Sequence, residues 1–313
     1  MKDNDIRISV VMTTYNGEKY VEDQLISLTN QTRLPDEIII FDDCSTDRTV
    51  HIVQKFIEMH SNVRLKLSVN KSNKGWQKNF MDAISEAKGE IILLADQDDI
   101  WIQDKIAKCS NLLESHDEID LLTCNFSVFN MRRKKAAEED QEAGMNNDKA
   151  LFRFEIDKDF YRVNRPGCTY CFRKSFFDDI KSYWQPGMAH DQLLWSAAIL
   201  KHSLYNYNEV LIKFRRHDSN ASGRITLNVS REKRIARIDN NIRLIQQLYQ
   251  LYISQIDNVE ANVVKEYLSY EAYRRDFLET GSLLKWMGLV KKYRKYSYSM
   301  KSLFKDLYIA KRG

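Results

Sequence analysis

Three short apolar runs in the first hundred residues, Ile8 to Thr13, Glu37 to Phe41 and Glu90 to Ala95, together with a strand-like stretch at Val63 to Val69, alternate with stretches of helical periodicity. The first such stretch carries Tyr20, Val21, Leu25 and Leu28 until Pro35 interrupts. The second sets Val50, Val53, Phe56 and Ile57 on one face, with Ser45 and Thr46 as candidate caps, and the third runs from about Gly75 to Ala87. Continuous apolar strands are buried on both sides, and the helices between them are the crossovers that parallel strands require. The alternation therefore predicts an α/β chain with a doubly wound, mostly parallel sheet and flanking helices. In such sheets ligands bind beyond the carboxyl ends of strands. Thr13 to Asn16, Asp42 with Asp43, and Asp96 to Asp99 all fall there.

The second half is less regular. A helix over Lys105 to Leu113 and a strand over Asp120 to Cys124 precede Arg132 to Asp148, whose polar composition predicts a mobile loop or insertion. Gly167 to Phe172 reads as a strand, Gln192 to Leu200 as a helix and Tyr205 to Phe214 as a strand. From Lys233 onward Ile235, Ile238, Ile242, Ile245 and Leu248 advance by three or four, which predicts a long amphipathic helix followed by at least two more. These helices either mediate a homodimer or dock on the α/β part.

Apolar residues at 43% and charged residues at 29% describe a globular chain rather than a disordered one. No apolar run approaches the roughly 18 residues of a membrane span. The charged start Met1 to Arg7 lacks the apolar stretch of a secretory signal, so a cytoplasmic protein with reduced thiols is expected. Cys44, Cys109, Cys124, Cys168 and Cys171 are odd in number and scattered, so they read as core filler. Cys168 and Cys171 do form a CxxC pair, but a zinc site needs partners the sequence does not offer nearby.

Asp96-Gln97-Asp98 is the strongest chemical signal in the residues themselves. Carboxylates crowded at the ends of neighbouring strands repel, and a hard divalent cation, Mg2+ or Mn2+, offsets that repulsion through oxygen ligation. Alternatively, Asp-rich turns cap helices, and Asp99 is placed to cap one beginning near Trp101.

Four blocks, TTYNGEKYVEDQLISLTNQT at Thr13 to Thr32, DDCSTDRT at Asp42 to Thr49, NKSNKGWQKNF at Asn70 to Phe80 and ADQDDIW at Ala95 to Trp101, together resemble the nucleotide-sugar domain of the family 2 glycosyltransferases. The resemblance implies a GT-A fold over residues 1–225, with a donor half (1–125) and an acceptor half (150–225), and a helical region over 226–313. It also implies inverting sugar transfer from a nucleotide-diphosphate donor. Carried over, Thr13, Tyr15 and Glu18 would line the nucleoside pocket, and Asp42, with Asp43 beside it, would bond the base. Asn73, Lys74, Gly75 and Lys78 would wrap the donor, the lysines otherwise being a solvated helix start. Asp96 and Gln97 would lie near the donor ribose and sugar, and Asp98, with Asp96, would take the metal. The short acidic motif that supplies the general base matches His190-Asp191, with Asp191 as base and His where many members have Glu. An N-cap is the structural alternative for Asp191.

GCTYCFRKSFF at Gly167 to Phe177 and FRRHDSNASG at Phe214 to Gly223 resemble the rhamnosyltransferase-like branch. The first would place Gly167, Cys168 and Thr169 under the acceptor. The second would bring Arg216 to the diphosphate and His217 to the metal shell, unless His217 is a plain surface residue. Trp101 and Trp184 are either flat surfaces for acceptor sugar rings or core. The branch points to dTDP-rhamnose or a UDP-hexose as donor, and to a saccharide or lipid-linked acceptor in bacterial surface polysaccharide assembly.

Residues 281 to 313 hold nine Lys/Arg and one acid, a local +8, which leaves −4 for the remainder of a chain whose total is +4. Mixed with Leu, Trp, Tyr and Phe, this composition suits an amphipathic helix on an anionic membrane surface. Nucleic acid is the competing partner, which the acidic body does not favour, and packing back on the body is the structural alternative. Among rival functions, a sugar nucleotidyltransferase would carry a Gly/Arg-rich phosphate loop where Thr13-Thr14-Tyr15-Asn16 stands. A dehydrogenase would carry GxGxxG after the first strand. A non-catalytic membrane scaffold would not need Asp42, Asp96, Asp98 and Asp191.

Overall fold

The computed structural model describes residues 6–60, 63–130, 141–142, 145–217 and 229–312. Its centre is strand β1 (Ile8–Thr14), which pairs in parallel with β2 (Glu37–Asp42) on one side and with β4 (Ile91–Asp96) on the other. β3 (Leu65–Val69) extends the parallel set beyond β2. Helices α1 (Val21–Thr29), α2 (Thr49–Met59) and α3 (Trp76–Glu86) are the crossovers. The register sets Thr13 opposite Asp96 and Thr14 opposite Asp42, so the polar ends of three strands meet in one place.

Beyond β4 the sheet turns mixed. A short β9 (Cys171–Arg173) runs antiparallel between β4 and β6 (Leu121–Asn130), and β6 pairs in parallel with the long β10 (Leu204–Arg216). β5 (Ile100–Trp101), β7 (Gln141–Glu142) and β8 (Leu151–Arg153) add antiparallel edges, making ten strands among the described residues. Side chains of β1 alternate between two apolar layers. Val10 and Met12 pack against α1, α2 and α4 (Lys105–Ser115). Val11 faces α3, α5 (Lys174–Ile180), α6 (His190–Leu200) and the C-terminal helices.

Those helices are α7 (Arg231–Tyr252), α8 (Asn258–Thr280), α9 (Leu283–Tyr293) and α10 (Met300–Arg312). They dock on the sheet side through one continuous core that takes in Ile238, Leu248, Phe277, Leu289, Tyr296 and Ile309. Asp306 of α10 is fully buried between Arg274 (2.6 Å) and Arg234 (3.1 Å). One face of the basic tail therefore packs on the body. Its other face exposes Leu284 (78%), Met287, Phe304 and Tyr308. No helix among the described residues is long and apolar enough to cross a membrane.

Several expectations change. Gly167 to Thr169 is a turn of 3-10 helix, because Thr169 returns both its N–H and its hydroxyl to the Pro166 carbonyl, and the strand begins only at Cys171. Neither Ser45 nor Asp99 caps a helix: Ser45 bonds Asp42, Asp99 bonds Arg215, and α4 starts at Lys105 after Asp104. Most of the polar stretch from Arg132 lies outside the described residues. Its end is held, since Asn146 accepts from Asn125 and Asn147 from Val210. The boundary near residue 225 also lies outside them.

Candidate active site

The loops after β1 and β2 are laced together at the mouth of the sheet. Asp42 is fully buried and uses both carboxylate oxygens, accepting from the Thr14 hydroxyl (2.7 Å) and from the backbone (2.8 Å) and hydroxyl (2.6 Å) of Ser45. Asn16 and Cys44 take left-handed φ values of 48° and 66°, uncommon outside glycine, which bring the two loops face to face. Asn16 donates to Ser45 and accepts from Thr46, and Glu18 accepts from the Arg48 N–H at 3.0 Å. Thr13 is buried in β1, while Tyr15 stands half exposed at the rim. Gln97 clasps the Tyr15 backbone at both ends, accepting from its N–H (2.9 Å) and donating to its carbonyl (3.0 Å).

Asp43 anchors the next wall. It accepts from the N–H groups of Lys74 and Gly75, each at 2.8 Å, and from the Asn70 amide, while the Asn73 side chain also accepts from Gly75. Gly75 sits at φ 85°, a conformation that strains any side chain, and it turns the chain into α3. Lys74 and Lys78 both pair with Asp82, so their charge is partly offset in this state.

At the end of β4, Asp96 is held above the usual carboxylate range by burial and by the charges of Asp98 and Asp191. Asp99 is raised likewise by burial and by Asp96 and Asp98. Ligand atoms of Asp96, Asp99 and Cys168 lie within 4.8 Å of one another. Burial pushes the Cys168 thiol up as well. Asp98, itself nearly buried, pairs with His217, whose Nε2 is 2.7 Å from its Oδ2. His217 stacks on Tyr20 at 4.5 Å between ring centroids.

Two buried cations support this turn. Arg215 donates through Nε to the Asp98 carbonyl (2.8 Å) and through a terminal nitrogen to Asp23 (2.9 Å), between the rings of Tyr20 and Phe129. Its backbone N–H bonds Asp99. Lys105, fully buried, covers the Trp101 ring at 3.4 Å, donates to the Cys168 carbonyl and works against the rise at Asp96. Sequence reading missed both. Arg215 is adjacent to the Arg216-His217 motif, and strand alternation gives the two arginines opposite faces: Arg216 is exposed and Arg215 buried. Lys105 carried no signal, since buried lysines are rare.

Asp191 is the second residue of α6, whose N-cap position is Ala189, so the N-cap alternative does not hold. Burial raises its carboxyl to about 6. The Gln192 N–H donates to it at 2.8 Å. His190 is buried against Phe80 (4.1 Å) and edge-on to Trp76 (5.7 Å), and burial lowers it to about 3, leaving it neutral. Gly167 must lack a side chain, because a Cβ there would come within 2.8 Å of His190 Nε2. Thr169 is buried in the turn. Trp101 is core, 3% exposed, and Trp184 packs half-buried with its indole N–H on the Met188 carbonyl. Neither presents an open ring to this mouth. His217 thus pairs with Asp98, and Asp98 and Asp191, the latter at the start of α6, both act on Asp96 at the end of β4.

A mostly parallel sheet with this crossing of mixed strands is the GT-A fold. The chain belongs to glycosyltransferase family 2: Glycosyl transferase family 2 matches residues 9–184. It is 29% identical over 263 residues, 80% of this chain and 85% of the relative, to the dTDP-rhamnosyl transferase RfbG of Shigella flexneri. A 120-residue segment, 37% of this chain and 20% of the relative, is 33% identical to the poly(ribitol-phosphate) beta-N-acetylglucosaminyltransferase TarS of Staphylococcus aureus. The fold is similar to TarS 1-349 in complex with UDP-GlcNAc, with a TM-score of 0.63 and 23% identity over 96% of this chain and 82% of that one. It is also similar to the mannosyltransferase PcManGT of Pyrobaculum calidifontis in complex with GDP-Man and Mn2+, with a TM-score of 0.53 and 15% identity over 98% and 87%.

Proposed function

We propose that this glycosyltransferase is an inverting, metal-dependent enzyme. It moves rhamnose from dTDP-rhamnose, or a hexose from a UDP-hexose, onto a saccharide or lipid-linked saccharide in bacterial surface polysaccharide assembly. The observation that carries the reading is the carboxylate cluster itself: Asp96 feels the charges of both Asp98, which pairs with His217, and Asp191, whose carboxyl is poised near 6. The similarity to a dTDP-rhamnosyl transferase over most of both chains favours the first donor.

Asp191 is mostly ionised at neutral pH yet still basic enough to take a proton. It accepts the proton of the acceptor hydroxyl as that oxygen bonds to the anomeric carbon, while the bond from that carbon to the diphosphate breaks and configuration inverts. Thr13, Tyr15, Glu18 and Asp42 form the nucleoside side, with the donor passing Asn73, Lys74, Gly75 and Lys78 toward Asp96, and Arg216 at the rim reaching the diphosphate. One carboxylate and one imidazole within 2.7 Å, beside a second carboxylate, are a donor set that suits Mn2+ or Mg2+. A divalent cation held by Asp98 and His217, with Asp96 near, would neutralise charge on the leaving diphosphate. The exposed apolar and basic face of α9 and α10 supports peripheral attachment to the anionic inner face of the cell membrane.

Calorimetric binding of UDP, dTDP, GDP and CDP, each with and without Mn2+, tests the reading. It expects binding of dTDP or UDP that Mn2+ strengthens; no binding by any nucleotide would remove it.

A further inference from the structure

Trp76 contrasts with the two tryptophans that the sequence offered as sugar surfaces. It is 41% exposed, whereas Trp101 is closed into the core and Trp184 is half-buried. An exposed flat ring of this size is able to stack on a sugar. Its position is fixed from below, because it opens α3 directly after Gly75, whose N–H is held by Asp43. Its ring meets His190 edge-on at 5.7 Å and 83°, and His190 immediately precedes Asp191. His190 is itself 4% exposed with neither ring nitrogen hydrogen-bonded, and it packs on Phe80. Trp76, His190 and Phe80 therefore form an aromatic patch that leads to Asp191.

Neighbourhood decides which sugar this patch would meet. Trp76 touches His190, the residue before Asp191, whereas His217 pairs with Asp98. We propose that the Trp76 indole is the platform for the acceptor, taking the apolar C–H face of its pyranose ring and presenting a ring hydroxyl to Asp191. Pyranoses carry clusters of C–H on one face and hydroxyls on the edge, so a flat ring beside a single carboxylate selects orientation as well as binding. The inference rests on Asp191 as the base, and it adds the acceptor's chemical class, a pyranoside, to that reading.

The test uses the full chain with saturating dTDP or UDP and Mn2+. Methyl α-L-rhamnopyranoside, methyl β-D-glucopyranoside, methyl β-D-galactopyranoside and the methyl glycoside of N-acetylglucosamine are titrated while tryptophan emission is followed. At least one glycoside should change the emission saturably. Trp76→Ala should weaken that glycoside roughly tenfold or more and Trp76→Phe about threefold, as expected for losing or shrinking a stacked ring. Both variants should keep nucleotide affinity. A wild-type protein silent to all four glycosides, a response that survives Trp76→Ala, or loss of nucleotide binding in Trp76→Phe would each overturn the proposal, the last by placing Trp76 on the donor. Asp191→Asn separates the two readings: it should retain the glycoside response while losing turnover, and full turnover would remove the base without touching the platform.

Discussion

The imidazole Nε2 of His217 lies 2.7 Å from Oδ2 of Asp98, joining the end of β10 to the turn after β4 across 119 residues of sequence. A cation held, as proposed, by these two atoms on separate segments would depend on both. His217→Ala and Asp98→Ala should each weaken Mn2+-dependent nucleotide binding by roughly tenfold or more, while metal-free binding changes little. Calorimetry with dTDP and UDP reads this directly. Equal Mn2+ enhancement in His217→Ala would take the histidine out of the metal shell.

As the proposed base, Asp191 should set the pH dependence. Burial raises its carboxyl to about 6, and a base works only when deprotonated, so kcat/KM should climb as pH rises through about 6 and level off above it. Asp96 is raised as well and shares the cleft, so the acid limb belongs to the pair. Asp191→Asn should lower kcat by about 100-fold to 10,000-fold with nucleotide affinity unchanged. A variant that keeps wild-type turnover would end the assignment.

Arg215 holds the Asp98 carbonyl from behind, wedged between Tyr20 and Phe129. Arg215→Met leaves that carbonyl short of a donor and should cost about 1–3 kcal/mol of stability, with weaker Mn2+ binding as the turn loosens. Arg215→Lys restores charge without the planar fork and should recover only part of both. Urea unfolding together with Mn2+ titration checks the pairing; a stable variant with intact metal affinity would show the clamp to be idle.

The sequence made the donor half legible because each of its strands and helices carries a clean period. Val10, Val11 and Met12 alternate between two layers, and the acids sit at strand ends where ligands gather. Contacts that local periodicity does not encode stayed hidden. Nothing in the run around Lys105 announces a buried ammonium over Trp101, and nothing in Asp43 alone shows that it holds the Lys74 and Gly75 backbone. The tail was ambiguous for the same reason. Asp306, its single acid, decides the packing of α10, and its partners Arg234 and Arg274 lie on two other helices.

That triad gives the next prediction. Asp306→Ala leaves two buried guanidinium groups without their shared carboxylate and should destabilise the protein by about 3–5 kcal/mol. Asp306→Asn, which keeps the shape, should lose nearly as much, since the charge rather than the volume is missing. Chemical denaturation measures it, and a loss below about 1 kcal/mol would mean that α10 is held by its apolar face alone.

Because α10 packs through Leu303, Asp306, Ile309 and Ala310, removing the tail would strip the core and report on folding instead of membrane attachment. The exposed face can be altered without that cost. Leu284 and Met287 on α9 and Phe304 on α10 are each more than half exposed, among Lys285, Lys291 and Lys301. Insertion of such side chains gains roughly 1.5–3 kcal/mol each, and each basic residue near an anionic leaflet adds about 1 kcal/mol. A Leu284→Asp, Met287→Asp variant should keep its unfolding midpoint and Mn2+-dependent nucleotide binding. Its recovery on phosphatidylglycerol vesicles should fall at least tenfold. Vesicle binding equal to that of the unaltered protein would mean that this face serves some other contact and that the enzyme reaches its acceptor without the bilayer.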